Sequence, residues 1–344
     1  MAIIDKPSDY FNTVLYTGNG GTQSITGVGF QPDFTWIKGR SYVDDHALFD
    51  TIRGVTKILY SNEVNAEETY ANSLTAFDSD GFSIGSMAEV NTNSATLVSW
   101  NWKAGTSSGI NTTNSTITPA GYSFNQTSGF SIIKYPGNGT NDAKCPHGLG
   151  VAPKMIFIKD LGNAANWECY NASIGNGKVI YLNLTTAAEA TSARWRNTSP
   201  DSVNWTMGST TAVNGSGRNY VAYCFADVQG YSKFGSYTGN NNANGNFVYT
   251  GFSVGWVMIK CTTTGSTNWI IVDNKRPGFN VISANIRANT NGAENTNNDI
   301  DLLSNGFKMR NTQSNTNSDG GSYIYMAFAE NPFVTSTGVP ATAR

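Results

Sequence analysis

Few side chains in this sequence could carry out bond-making chemistry, and they do not converge. The two histidines, His46 and His147, stand far apart. His147 lies in CPHGLGVAP, a Gly/Pro-rich turn where an imidazole serves as a loop hydrogen-bonding group more readily than as a general base. The four cysteines, Cys145, Cys169, Cys224 and Cys261, form no CxxC pair; they are too few for a disulfide framework and wrongly spaced for zinc. Cys224 and Cys261 fall in or at the end of apolar runs, where a small buried residue is expected. Acids are paired as Asp44 with Asp45, Asp78 with Asp80 and Asp299 with Asp301. A glycosidase would need two carboxyl groups about 5–9.5 Å apart across a cleft, which spacing along the chain does not supply. DSDG from Asp78 begins like a calcium loop but lacks the later ligands. No HExxH, GxSxG or phosphate-binding glycine loop occurs. The expectation is a non-enzymatic protein with no catalytic residues, no metal site and no cofactor.

The candidates for binding are two Asn-Trp pairs, Asn166-Trp167 and Asn268-Trp269. A Trp ring beside an amide could form a sugar platform, stacking on the pyranose while the amide bonds its hydroxyls. The competing reading is a strand-edge Trp packed inside a sandwich.

These pairs sit at fixed places in a larger pattern. YTGNG from Tyr16 returns as YPGNG from Tyr135 and YTGNN from Tyr237. Apolar runs FTWIK, MIFIK and WVMIK end at Lys38, Lys159 and Lys260, which follow those tyrosines by 22, 24 and 23 residues. Alternating aromatic runs VSWNW, VAYCF and IYMAF then close at Trp102, Phe225 and Phe328, 64, 66 and 68 residues beyond the lysines. Three ordered landmarks in three copies read as an internal triplication. The Trp of each pair lies 8 or 9 residues past its Lys, and His46 with Leu48 occupies that region in the first copy.

The lysine runs alternate with period two and are apolar on both faces, so each should be a central strand, with its Lys snorkelling from the sheet edge. The closing runs pair a large-residue face with a small-residue face, as between packed sheets. Asp80-Gly81 and Asn305-Gly306 are hairpin signals. The best helical candidate, Glu63 to Leu74, is short and polar. The fold class expected is all-β, three tandem sandwiches of short antiparallel strands. The expected boundaries are a lead-in at 1–9, a first sandwich at 10–104, a flexible Ser/Thr/Asn/Gly linker at 105–127, sandwiches at 128–228 and 229–333, and a tail at 334–344.

Composition agrees with strands and a neutral surface. Charged residues are 13% against about 25% in ordinary proteins, aromatics reach 12%, and glycine is abundant. With a formal net charge of −2 and no Lys/Arg run, neither nucleic acid nor an anionic membrane is an expected partner. The start has no signal-peptide pattern and no stretch approaches a membrane span, so folding in a cytoplasm without membrane insertion is expected.

The opening SDYFNTVLYTGNGG with ITGVGFQPDFTWIK, the middle HGLGVAPKMIFIK with YVAYCFADVQGYSKFGSYTGN, and the closing YIYMAFAENPF resemble the blocks of a repeat family of marine tailed phages and their prophages. The resemblance spans nearly the whole chain. It implies a virion protein with lectin-like or jelly-roll-like sandwich units, and carries no activity and no known binding residues. The resulting expectation is a structural protein on the virion surface, a tail fibre or tail-associated protein contacting the host envelope and possible host surface glycans through many weak contacts. A capsid decoration or head-fibre protein is the alternative, and a polysaccharide depolymerase a third class. Other virion proteins and further copies of the chain, as in a trimer, are the partners expected. Assembly in the host cytoplasm and release by lysis complete this reading.

Overall fold

The three lysine strands sit where their two apolar faces require, in the middle of sheets buried on both sides. The computed structural model describes residues 3–277, 279–297 and 299–340. It is almost entirely β, in several antiparallel sheets with no barrel. The first principal sheet runs, edge to edge, Phe11–Thr17, Thr96–Trp102, Phe34–Gly39, Ala47–Asp50. The second runs Gly121–Asn125, Phe130–Pro136, Asn219–Phe225, Met155–Asp160, Glu168–Asn171, Lys178–Tyr181, Glu189–Ala190. The third runs Ser232–Thr238, Ser322–Pro332, Phe252–Cys261, Ile270–Asp273, Ile286–Arg287. In each, the lysine strand lies between the closing aromatic strand and the strand that follows it in sequence, in matching register: Trp36 opposite Trp100, Phe157 opposite Tyr223, Met258 opposite Met326.

Alternation along these strands builds two kinds of core. One face of all three principal sheets meets in a single cluster that includes Phe34, Trp100 and Trp102 with Phe157, Tyr223 and Phe225 and with Trp256, Met326 and Phe328. The other face of each sheet carries its own cluster beneath a small outer sheet. Ile37 and Leu97 lie under Gln23–Thr26, Gly81–Ile84 and Leu74–Asp78. Ile156 and Cys224 lie under Ala143–Pro146 and Asn204–Met207. Val257 and Tyr325 lie under Phe247–Tyr249, Gly306–Met309 and Ile300–Leu303. Such sheet-on-sheet layering is what a strand with two apolar faces needs to leave water on both sides.

The YTGN turns are explained by close approach. A Cβ on Gly18, Gly137 or Gly239 would fall 2.2 Å from the carbonyl oxygen of Thr92, Gly215 or Ser318. The preceding tyrosine hydroxyls donate to Val90 O, Val213 O and Thr316 O at 2.7, 2.7 and 2.6 Å. The following asparagine amides donate from the backbone to Asn91, Asn214 and Asn317 side chains. Each turn is thereby stapled to the segment that leads into the closing strand.

One expected boundary is corrected, and two stretches gain detail. The stretch 105–127 is not wholly a linker: Gly121–Asn125 adds an edge strand to the second sheet, and Ile117 and Phe124 are buried, because its few apolar residues alternate and find a partner strand in Phe130–Pro136. Glu63 to Leu74 forms no helix; it holds the short strand Glu68–Thr69 and extended chain docked on the second sheet. The four-residue helix Ala88–Asn91 and the 3-10 turn Pro7–Asp9 are the helical segments among the described residues. The 1–9 lead-in and the tail also touch, with Ser336 N and Oγ donating to Asp5. Residues 1–2 and 341–344 of those segments lie outside the described residues.

Candidate functional site

The lysines that end the central strands do not snorkel. Lys38, Lys159 and Lys260 are all 0% exposed. Each ammonium instead donates to carbonyl oxygens, one of them on a neighbouring sheet's segment. Lys159 reaches Val64 O at 2.8 Å, Lys260 reaches Thr185 O at 3.2 Å and Lys38 reaches Asn291 O at 3.2 Å. Burial lowers each of the three to about 8, an effect that nearby Asp44 and Asp45 oppose at Lys38.

Around each lysine the chain repeats one set of bonds. Backbone pairs Ala165 N to Val64 O with Glu67 N to Leu161 O, Thr267 N to Thr185 O with Ala188 N to Thr262 O, and Asp44 N to Asn291 O with Glu294 N to Arg40 O tie the segments together. The second sheet thus holds a segment of the first, the third holds one of the second, and the first holds one of the third. The circle is closed. At the closing junction an ion pair, Arg40 Nε to Glu294 Oε2 at 3.0 Å, is added.

The Asn-Trp candidates belong to this interlock rather than to the surface. Trp167 and Trp269 are 0% and 1% exposed, and their Nε1 groups donate to Tyr60 O and Tyr181 O, each at 2.8 Å. Neither ring presents a face to a sugar. Asn166 and Asn268 accept from Asn183 and Asn289, whose own oxygens accept the backbone N–H of the two tryptophans. The sugar-platform expectation for these residues is therefore replaced by the packed-Trp reading: a ring between two sheets with its only donor satisfied is a joint.

His46 occupies the same position in the first sheet. Its Nδ1 accepts from Trp36 Nε1 at 2.8 Å, which leaves the proton on Nε2, 3.0 Å from Arg287 O. His46 N bonds the Asn62 side chain, as the tryptophans bond Asn183 and Asn289. The recurring Asn62, Asn183 and Asn289 were a signal present in the sequence, whereas Tyr60, Tyr181 and Arg287 act through backbone carbonyls that side-chain identity does not disclose.

Neither histidine is placed for acid–base work. Both are buried, which holds His46 well below its ordinary range and His147 down to about 4. His147 bonds Asp201 O through Nε2 and accepts Leu149 N at Nδ1. Between pH 6.5 and about 4 the unfolded chain takes up a proton at His147 that the folded chain refuses, so stability falls as pH drops through that window. The loss expected from His147 alone is about 3 kcal/mol. Urea unfolding of the protein and of His147→Gln at pH 7 and near pH 4.5 should show a smaller acid loss in the variant; equal losses would refute the assignment.

The remaining polar candidates are also engaged. Asp80 accepts the backbone N–H groups of Gly27 and Gly29, and Asp78 accepts Ser83, so DSDG is a hairpin corner. All four cysteines are free and buried. Among the described residues no three His, Cys, Asp or Glu side chains gather as metal ligands, and no helix is long and apolar enough to cross a membrane.

Fold and interlock define an all-β protein of packed antiparallel sheets joined by buried polar bonds. The chain belongs to the DUF7483 family, a domain of unknown function, which matches residues 6–332. No curated protein and no solved structure matches it.

Proposed function

We propose that this chain is a non-enzymatic structural protein of a tailed-phage virion surface, built as three tandem sandwich repeats and serving as a tail fibre or tail-associated protein that contacts the host. The observation that supports it best is the circular interlock: the same lysine, Trp-or-His and backbone bonds occur at three junctions, the last joining the first and third principal sheets. Groups that might have served catalysis, Lys38, Lys159, Lys260 and His46, are engaged in holding sheets together. A closed, weakly charged body of this kind suits repeated presentation on a particle, where many weak contacts add. The sequence resemblance to marine phage virion proteins is what supports the virion location.

The same circular arrangement favours a second reading, capsid decoration, since a body with three like junctions fits a threefold point of a lattice. Mass spectrometry and electron microscopy of particles with and without the gene product separate the two. Loss of tail density with impaired adsorption is expected; loss of a capsid protrusion with normal adsorption would replace the tail reading, and absence of the protein from purified particles would end both.

A further inference from the structure

We propose that the cleft between the loop Asp227–Lys233 and the turn Tyr249–Gly251 binds a neutral sugar residue, with Tyr249 as its stacking face. This deepens the host-contact reading above and rests on it for the source of the sugar. The cleft has a volume of about 490 Å³ and a mixed lining, in which Asp227, Gln229 and Lys233 stand beside Val228 and Tyr249. That volume lies within the range of small-ligand sites.

The first argument is a comparison within the molecule. Val248, Ile25 and Cys145 are the buried residues that pair with Phe307, Phe82 and Trp205 in the three outer sheets. The next residue along each strand is Tyr249, Thr26 or Pro146. The sheet therefore forms without an aromatic at this position, yet Tyr249 places a ring there that is 60% exposed. An exposed ring that the fold does not need is what a pyranose face requires.

The second argument is the polar set beside the ring. Asp227 Oδ2 accepts Lys233 Nζ at 2.7 Å and Oδ1 accepts Phe234 N at 2.8 Å, so the carboxylate is fixed. Their side chains remain 27% and 41% exposed. A carboxylate and an ammonium side by side can accept from one hydroxyl of a vicinal pair and donate to the other. Their charges cancel, which matches a neutral ligand better than an acidic one. Gly251 turns the chain beside the ring with φ of +84°, a conformation glycine adopts without strain.

The test is titration of the full chain, by calorimetry or saturation-transfer NMR, with methyl glucoside, methyl galactoside and N-acetylglucosamine. At least one should bind. Tyr249→Thr, which installs the residue found at the equivalent position of the first outer sheet, should weaken it about tenfold, ~1.4 kcal/mol, with an unchanged melting curve. Tyr249→Trp should retain binding, and Asp227→Asn should weaken it. Binding of none of the probes, or full affinity in Tyr249→Thr, would overturn the site. Protein found in particles but without sugar binding overturns this site alone; sugar binding by a protein absent from particles overturns the virion reading alone.

Discussion

Replacing Trp102 with alanine is expected to destabilise the protein by about 3–5 kcal/mol, seen as a large drop in urea midpoint or melting temperature. The ring is 1% exposed and lies against Phe11 and Phe34 of its own sheet, with centroids 4.9 and 5.2 Å away. It also meets Phe225 of the second sheet at 6.3 Å, and Trp256 and Phe328 of the third at 5.9 and 5.6 Å. Truncation leaves a cavity inside the cluster where all three principal sheets meet, and a close-packed interior relaxes into such a hole only in part. Trp102→Phe should cost far less, about 1 kcal/mol. Its Nε1 has no hydrogen-bond partner among the described residues, and the residues at the same register in the other two sheets are already Phe225 and Phe328. The alanine variant should also melt in one transition. If one sheet melted early while the others kept the wild-type midpoint, the shared core would be refuted.

Much of this core was readable before the fold was known, and the reason is periodicity. Val98, Trp100 and Trp102, with their counterparts Val221, Tyr223, Phe225 and Ile324, Met326, Phe328, alternate with mostly small residues, and every one of the nine faces the shared cluster. The hairpins at Asp80 and Asn305 were legible because Asp-Gly and Asn-Gly fix local backbone geometry. What sequence did not disclose was how the sheets join. Lys38, Lys159 and Lys260 looked like edge residues because a lysine ordinarily keeps its ammonium in water. The partners that join sheets are carbonyl oxygens of residues more than seventy positions away, and a carbonyl is the same in every residue. Asn166-Trp167 and Asn268-Trp269 carried a true signal, recurrence at fixed distance from the lysine, but the chemistry that a Trp offers to a sugar is the same that it offers to a neighbouring sheet. The cleft at Tyr249 was missed for the opposite reason: nothing recurs there, and exposure of a single ring is set by the tertiary fold.

Asp50→Ala is the second large effect, with an expected cost of about 3–5 kcal/mol, because it leaves a buried guanidinium with only the longer, part-exposed contact to Glu67 at 3.4 Å as counter-charge. Asp50 and Arg53 side chains are fully buried, with Arg53 Nε 2.5 Å from Asp50 Oδ2. Oδ1 also accepts the N–H groups of Ile52 and Arg53, and Oδ2 accepts the Tyr223 hydroxyl of the second sheet at 2.6 Å. The third sheet carries the same device: Asp273 holds Arg276 and accepts Trp100 Nε1 from the first sheet at 3.0 Å. The second sheet does not. At the matching register opposite Met155 stands Asn171, and Ile174 takes the place of the arginine, packed against the shared core. That sheet shows how the position folds without charge. Asp50→Asn combined with Arg53→Ile and Tyr223→Phe should therefore cost less than Asp50→Ala alone, about 1–2 kcal/mol for the carbonyls of Leu48 and Lys57 and the part-exposed Glu67 carboxylate that Arg53 no longer meets. Chemical denaturation of the single and triple variants measures both. A triple variant as unstable as Asp50→Ala would mean that the charge pair itself, and not the stranding of one member, carries the stability of this joint.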